Sequence, residues 1–287
     1  MHRFITLKLK DKMKNILVPT DFSNCANAAF DFALDFAERA NALIHFLHLL
    51  STPVDWVKLP LDKEQNYPET KKQIGHAKAE LNKWVRKAER KNIDALHSLV
   101  FNRGREEIFQ FIEQHHTDFI IMGSHGANGI RESIIGTNAQ KVIRKSAVPV
   151  LVVKKEVSNP IKNVLFVSDF TDVSKGAYHK IIHFADIIEA HIELLFVNTP
   201  DEFVQSKETD ANMDAVLLHC NRKDACTKNV INANTVEAGV RDFVGKQPID
   251  MIAICTHGKS GLRQLFSPSI AETIVNHTEL PLLSIKL

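Results

Sequence analysis

Apolar and polar positions along the chain alternate between two kinds of run. Short, almost wholly apolar segments such as Ile16-Leu17-Val18 and Phe119–Met122 are too brief for helices, and this predicts buried strands. Between them lie longer stretches with apolar residues three and four apart, which predicts amphipathic helices. In the first half the pattern places strands at 15–19, 43–49, 95–101, 118–122 and 149–153, and helices at 25–40, 69–91, 105–115 and 138–145. In the second half it places strands near 163–168, 191–197, 229–235, 250–254 and 281–285. Alternating β and α elements with apolar strands imply an α/β fold of doubly wound, open parallel sheets. In such sheets a ligand sits beyond the carboxyl ends of the strands, where the strand order reverses.

The series is written twice. Asn15–Phe22 (NILVPTDF) recurs as Asn163–Phe170 (NVLFVSDF), an offset of 148. Ser124-His125-Gly126 with Gly129 and Arg131 recurs as Thr256-His257-Gly258 with Gly261 and Arg263, and Val148–Leu151 recurs as Leu280–Leu283, both at an offset of 132. The chain is a tandem duplication whose second copy lacks 16 residues in its middle. The extra length of the first copy is expected around Ser51 to Pro68, a loop rich in Pro and charge. Two domains follow, 1–155 and 156–287, each built on a five-stranded parallel sheet.

Candidate chemistry gathers where the first copy's fourth strand breaks into glycines. Gly123, Gly126 and Gly129 precede a helix expected to start after Gly136-Thr137. A strand, a glycine loop and a helix start together suit a phosphate: glycine permits positive φ and close approach, and the free N–H groups of the first turn favour an anion. Thr137 is expected as the helix N-cap and as a donor to phosphate oxygens. The loop is neither a Walker loop nor a G-x-G-x-x-G fingerprint. Beyond the first strand, Pro19-Thr20-Asp21 offers a carboxylate for a base amine or a sugar hydroxyl; equally, Asp21 or Ser23 caps the helix near Cys25. His48-Leu49 closes the second strand as an apolar wall, and Leu49 by itself reads as plain core.

The spacing Gly123, two residues, Gly126, nine residues, Gly136-Thr137 resembles the universal stress protein family, whose ATP-binding members carry G-x2-G-x9-G-[S/T] after the fourth strand. The likeness covers nearly the whole chain, twice, and implies a Rossmann-like fold of the adenine nucleotide alpha hydrolase type. It implies that Pro19, Thr20, Asp21 and Leu49 line adenine and ribose, that Gly123, Ser124, His125, Gly126, Asn128 and Gly129 wrap the phosphates, and that Gly136, Thr137 and Asn138 hold them from the helix start. ATP with Mg2+ or Mn2+ is the implied cofactor. The likeness also implies that the strands at Val148–Val153 and Leu280–Ile285 pair edge to edge within the chain, giving an intramolecular pseudo-dimer, alone or paired again as a homodimer. In the second copy Cys255 replaces Gly123 and Pro268 replaces Gly136. Proline has no N–H for a phosphate, so this copy is expected to bind ATP weakly or not at all.

Composition narrows the classes. With 44% hydrophobic and 24% charged residues the chain reads as globular, and no apolar run approaches the roughly 18 residues of a membrane span. The N-terminus lacks the apolar stretch and cleavage site of a signal peptide, so the expected address is the cytoplasm. The net charge of +2 hides an asymmetry: 24 Lys and Arg against 17 Asp and Glu up to Lys155, and 12 against 17 beyond it. Helix faces such as Lys71–Lys91 supply much of the excess, and no basic stripe with interleaved aromatics points to nucleic acid. Cys25, Cys220, Cys226 and Cys255 form no C-x-x-C pair and no zinc spacing, and are expected as reduced, mostly buried thiols; the pair His115-His116 is not expected to hold metal.

Three functions follow. The first is an ATP-binding stress-response protein whose occupancy changes its packing against a protein partner. The others are an interaction scaffold that does not use nucleotide and a slow ATPase with His125 as its acid-base group. Neither S-G-G-x-D-S nor H-I-G-H, the signatures of related adenylating enzymes, occurs.

Overall fold

The computed structural model describes residues 13–102, 107–125, 136–171, 175–201, 203–218, 220, 222, 225–256 and 268–286. Among these residues ten strands form one continuous sheet. In the first half these are β1 (Asn15–Pro19), β2 (Leu43–Ser51), β3 (Ala95–Asn102), β4 (Phe119–Gly123) and β5 (Val150–Val153); in the second, β6 (Asn163–Val167), β7 (His191–Asn198), β8 (Cys226–Asn232), β9 (Met251–Thr256) and β10 (Leu282–Lys286). Their order is β3-β2-β1-β4-β5-β10-β9-β6-β7-β8. Neighbours within each half are parallel. The two five-stranded sheets meet at β5 and β10, which pair antiparallel with Leu283 opposite Leu151.

Among the described residues eight α-helices cover the two faces: α1 (Asn24–Ala40), α2 (Pro68–Glu89), α3 (Glu107–Gln114), α4 (Thr137–Lys145), α5 (Lys175–Ile188), α6 (Ser206–Leu217), α7 (Val236–Lys246) and α8 (Pro268–His277). One core packs α1, α2, α5 and α6 on one face, around Phe30, Trp84, Phe119, Phe166 and Phe184. The other packs α3, α4, α7 and α8 on the opposite face, around Leu17, Ile120, Val152 and Leu282. Both cores run across both halves. Phe36 of α1 stacks on Phe184 of α5 with centroids 5.1 Å apart. On the other face Arg144 of α4 donates twice to the carboxylate of Glu272 in α8, once at 2.8 Å.

The duplication extends to local devices. Asp118 accepts the N–H groups of Lys14 and Asn15 through one oxygen, each at 3.0 Å, and Asp250 does the same for Lys162 and Asn163 at 2.9 Å. Left-handed residues recur 148 apart, Phe22 with Phe170 and Asn41 with Glu189. Asn41 ends α1, its N–H reaching the carbonyls of Ala37 and Glu38.

The structure revises two expected details. The shorter second copy loses nine residues between β7 and α6 relative to the β2–α2 loop, but α6 is also ten residues shorter than α2, and the α6–β8 connection gains three. The β8 strand runs from Cys226 to Asn232 rather than from near 229 to 235: pairing with β7 begins at Cys226 opposite Ile192, and Thr235 is spent as the N-cap of α7, its hydroxyl accepting from the Ala238 N–H at 3.2 Å.

Candidate functional site

Strand order reverses at β1, which lies between β2 and β4, so the carboxyl ends of β1 and β4 flank the crevice of the first half. After β1 the chain makes two nested turns. The Thr20 hydroxyl accepts the Phe22 N–H at 2.9 Å, holding Phe22 at a φ of 63°, and the Asp21 carboxylate accepts the Ser23 N–H at 3.1 Å. Ser23 then caps α1, its hydroxyl accepting from the Ala26 N–H at 3.2 Å. Of the two residues considered for capping α1, Ser23 is therefore the one, and Asp21 stands exposed at the crevice. Thr20 is buried, with its N–H on the Leu47 carbonyl. His48 Nδ1 lies 2.7 Å from the Thr20 carbonyl and its ring stacks on Phe22 at 4.8 Å. Burial holds the His48 imidazole below its usual pKa, against the Thr20 bond and the Asp21 charge, which raise it. Leu49 is half-buried and packs on the α3 and α4 side.

The β4 end brings Gly123, Ser124 and His125 beside α1. A Cβ on Gly123 would lie 2.8 Å from the Cys25 carbonyl carbon and 2.9 Å from the Ala26 nitrogen, so glycine serves the approach of α1 to β4. Of the two properties of glycine, close approach is the one used at Gly123, since among the described glycines none has positive φ. Ser124 sends its N–H to the Val153 carbonyl and accepts the Gly136 N–H at 2.7 Å, which fixes the start of α4 against β4. A Cβ on Gly136 would meet the His125 Cα at 3.1 Å.

The expected capping role of Thr137 is also overturned. Gly136 is the N-cap, extended at φ −68° and ψ 152°, and no side chain caps the helix. Thr137 is the first helical residue because the Ser124 carbonyl takes the Gly136 N–H and sets the helix one residue early. The N–H groups of Thr137, Asn138 and Ala139 occupy the first turn, where an α-helix leaves donors without intrahelical partners. Thr137 and Asn138 are exposed. Gly126, Asn128 and Gly129 lie outside the described residues.

His125 is engaged locally: Nδ1 lies 2.9 Å from the Ser124 hydroxyl, and Nε2 lies 3.5 Å from the Cys25 sulfur. Its backbone carbonyl accepts from Ser23 at 3.4 Å. Among the described residues no group of three or more His, Cys, Asp or Glu is placed to hold a metal ion.

The universal stress protein family matches residues 12–154 and again 160–286. The chain belongs to the universal stress protein family. A universal stress protein of Methanocaldococcus jannaschii is 30% identical over 157 residues, covering 50% of this chain and 97% of the relative. One from Synechocystis is 22% identical and covers 96% of this chain and 100% of the relative, so it too is of double length. Among solved structures, a universal stress protein from Archaeoglobus fulgidus superposes with a TM-score of 0.71 at 16% identity, covering 96% of this chain and 99% of that one, a likeness of fold.

In this tandem universal stress protein the second crevice repeats the turns and changes what lines them. Ser168 and Asp169 hold Phe170 and Thr171 as Thr20 and Asp21 hold Phe22 and Ser23, with bonds of 3.2 Å. Yet Asp169 is buried where Asp21 is exposed. Cys255, in place of Gly123, is buried in the core on the α1 and α5 face, and burial, with the Asp169 charge, pushes its thiol up. Pro268 opens α8 where Gly136 caps α4.

Sequence reasoning gave no part of the first crevice to Cys25 or Lys154, and took His48 only with Leu49 as the apolar close of the second strand. The Cys25 thiol donates to the Lys154 carbonyl at 2.9 Å. Among the described residues the buried Lys154 ammonium meets no hydrogen-bond partner; burial lowers its pKa, while Glu279 and Cys25 oppose that shift. Position was the available signal, since Cys25 lies two residues past the cap of α1 and Lys154 directly after β5. No membrane-crossing helix, long and apolar enough, occurs among the described residues.

Proposed function

We propose that the first half is an ATP-binding unit and that the second is its nucleotide-free partner, with the boundary between 155 and 156. The observation that carries this reading is the start of α4. An exposed first turn without a side-chain cap opens at the crevice where β1 and β4 end, beside an exposed carboxylate. Amide donors and a helix dipole at one end suit phosphates, and Asp21 at the other suits an amine or ribose hydroxyl. In this reading Pro19, Thr20, Asp21 and Leu49 border the nucleoside. Gly123, Ser124, His125, Gly136, Thr137 and Asn138, with Gly126, Asn128 and Gly129 of the intervening loop, surround the phosphates. Mg2+ or Mn2+ would arrive with the phosphates. ATP binding would bias the chain toward one arrangement for a cytoplasmic protein partner in a stress response, to the extent that ATP binds that arrangement better.

Calorimetric titration of the full chain with ATP and Mg2+ tests this, with Gly136→Pro as the copy of the second half and circular dichroism as the check of folding. One site per chain, lost in the folded Gly136→Pro variant and weakened about tenfold by Asp21→Asn, is the expected result. Two equal sites would overturn the assignment of the second half. A folded wild-type chain that binds no ATP would leave a nucleotide-independent scaffold.

A further inference from the structure

The connection between α6 and β8 is three residues longer than its counterpart between α2 and β3, and it is bounded by two cysteines that spacing left unpaired. Cys220 follows the last turn of α6, its N–H on the Leu217 carbonyl at 3.1 Å. Cys226 is the first residue of β8, in register with Ile192 of β7. Their sulfurs lie 2.6 Å apart. Arg222, between them in sequence, anchors the connection to the end of α5. Its Nε donates to Asp186 at 2.9 Å, and its Nη2 donates to the carbonyls of Ala185 and Ala190 at 3.2 and 2.9 Å. A turn bond from the Ala225 N–H to the Arg222 carbonyl, 2.8 Å, returns the chain to β8. Both sulfurs are thus held face to face by fixed elements, and a disulfide of about 2.05 Å asks for an approach of only about 0.6 Å. Cys220 is buried, and the half-buried Cys226 gives small oxidants and reductants access.

We propose that Cys220 and Cys226 are a redox-modification site, a dithiol that a peroxide converts to an intramolecular disulfide and a small thiol restores. One sulfur attacks a peroxide oxygen, breaking the O–O bond and releasing the first water as it becomes a sulfenic acid. The other sulfur then displaces the sulfenic hydroxyl, which leaves with the remaining thiol proton as the second water. Two thiols and one hydrogen peroxide give one disulfide and two waters, the sulfurs losing two electrons and the peroxide gaining them. Burial and the bond to the Cys220 sulfur push the Cys226 thiol up, which favours the reduced form at rest. Cys25 bonds to a backbone carbonyl and Cys255 lies within the core, each away from another cysteine, so both serve as internal references.

The test treats the full chain with hydrogen peroxide, removes the excess, denatures it in N-ethylmaleimide and maps the peptides by mass spectrometry. Two thiols should escape alkylation, recovered as one cross-linked peptide pair joining Cys220 to Cys226, and dithiothreitol should restore both. Cys25 and Cys255 should be alkylated throughout. The folded Cys25→Ser/Cys255→Ala double variant, which leaves the pair intact, should behave identically, and Cys226→Ser should abolish the cross-link. Four alkylated thiols after peroxide, a lone oxidised sulfur, or a disulfide between chains would each overturn the proposal. ATP titration is independent of this outcome.

Discussion

At the end of β4 a hydrogen atom in place of a side chain allows α1 to begin where it does. Gly123→Ala would set a methyl within 2.9 Å of backbone atoms of Cys25 and Ala26, atoms that cannot rotate aside. Gly75 lies inside α2 with nothing within 4 Å of its missing Cβ. Urea unfolding should therefore show Gly123→Ala destabilised by about 1–3 kcal/mol and Gly75→Ala stabilised by about 0.5–1 kcal/mol. Opposite signs from the same substitution would separate packing from helix propensity. His45 supplies a pH dependence. Burial, with His115 and His97 nearby, lowers its pKa to about 4 from an ordinary value near 6.5. The unfolded chain then binds the extra proton, so stability is full above about pH 6.5 and falls as the pH drops toward 4. The Ser98 hydroxyl, 2.9 Å from His45 Nε2, and the Phe111 ring at 4.7 Å leave little room for solvent to relieve the charge. In His45→Gln the slope of stability between pH 4 and 6.5 should flatten by up to about 1.4 kcal/mol per pH unit, read from urea midpoints across that range.

Among elements, α4 concentrates the functional question in one turn. Replacing Asn138 by Asp places a negative charge at the start of a helix, where the dipole favours it, so thermal stability should hold or rise slightly. The same charge would repel a bound phosphate. Asn138→Asp is therefore expected to keep its melting temperature and lose at least tenfold in ATP affinity, whereas equal affinity would place the phosphates elsewhere. The elements themselves were legible, because apolar runs of strand length alternate with helical periods throughout. Their ends were not. The Thr137 hydroxyl looks like a cap from its position, but a tertiary bond from Gly136 to Ser124 sets the helix start. Val230 and Ile231 likewise pull the expected β8 toward 235, while pairing with β7 and the capping role of Thr235 draw it back to 226–232. The crevice was legible because strand ends and glycine spacing are local signals. The Cys220–Cys226 contact was not, since it depends on how a connection folds between an edge strand and α6.

The whole molecule rests on the seam at β5 and β10. An antiparallel pair of last strands joins one repeat to the other with each element facing its own counterpart: β5 against β10, α1 against α5, α4 against α8. The chain thus closes on itself about an approximate twofold axis, and the arrangement hides the β5 and β10 edges from solvent. Cutting out the second half should uncover the β5 edge together with Phe36, which in the whole chain rests on Phe184. A second copy of the first half offers the same edge and the same apolar ring in the position that β10 and α5 vacate, because the repeats share their topology. Residues 1–155 expressed alone are expected to form a homodimer through β5, with light scattering giving twice the mass of the fragment. A folded fragment that stays monomeric at micromolar concentration would show that the seam needs the particular residues of the second half. Substitutions such as Cys255 and Pro268 would then belong to a partner specialised for one surface rather than to a copy interchangeable with the first.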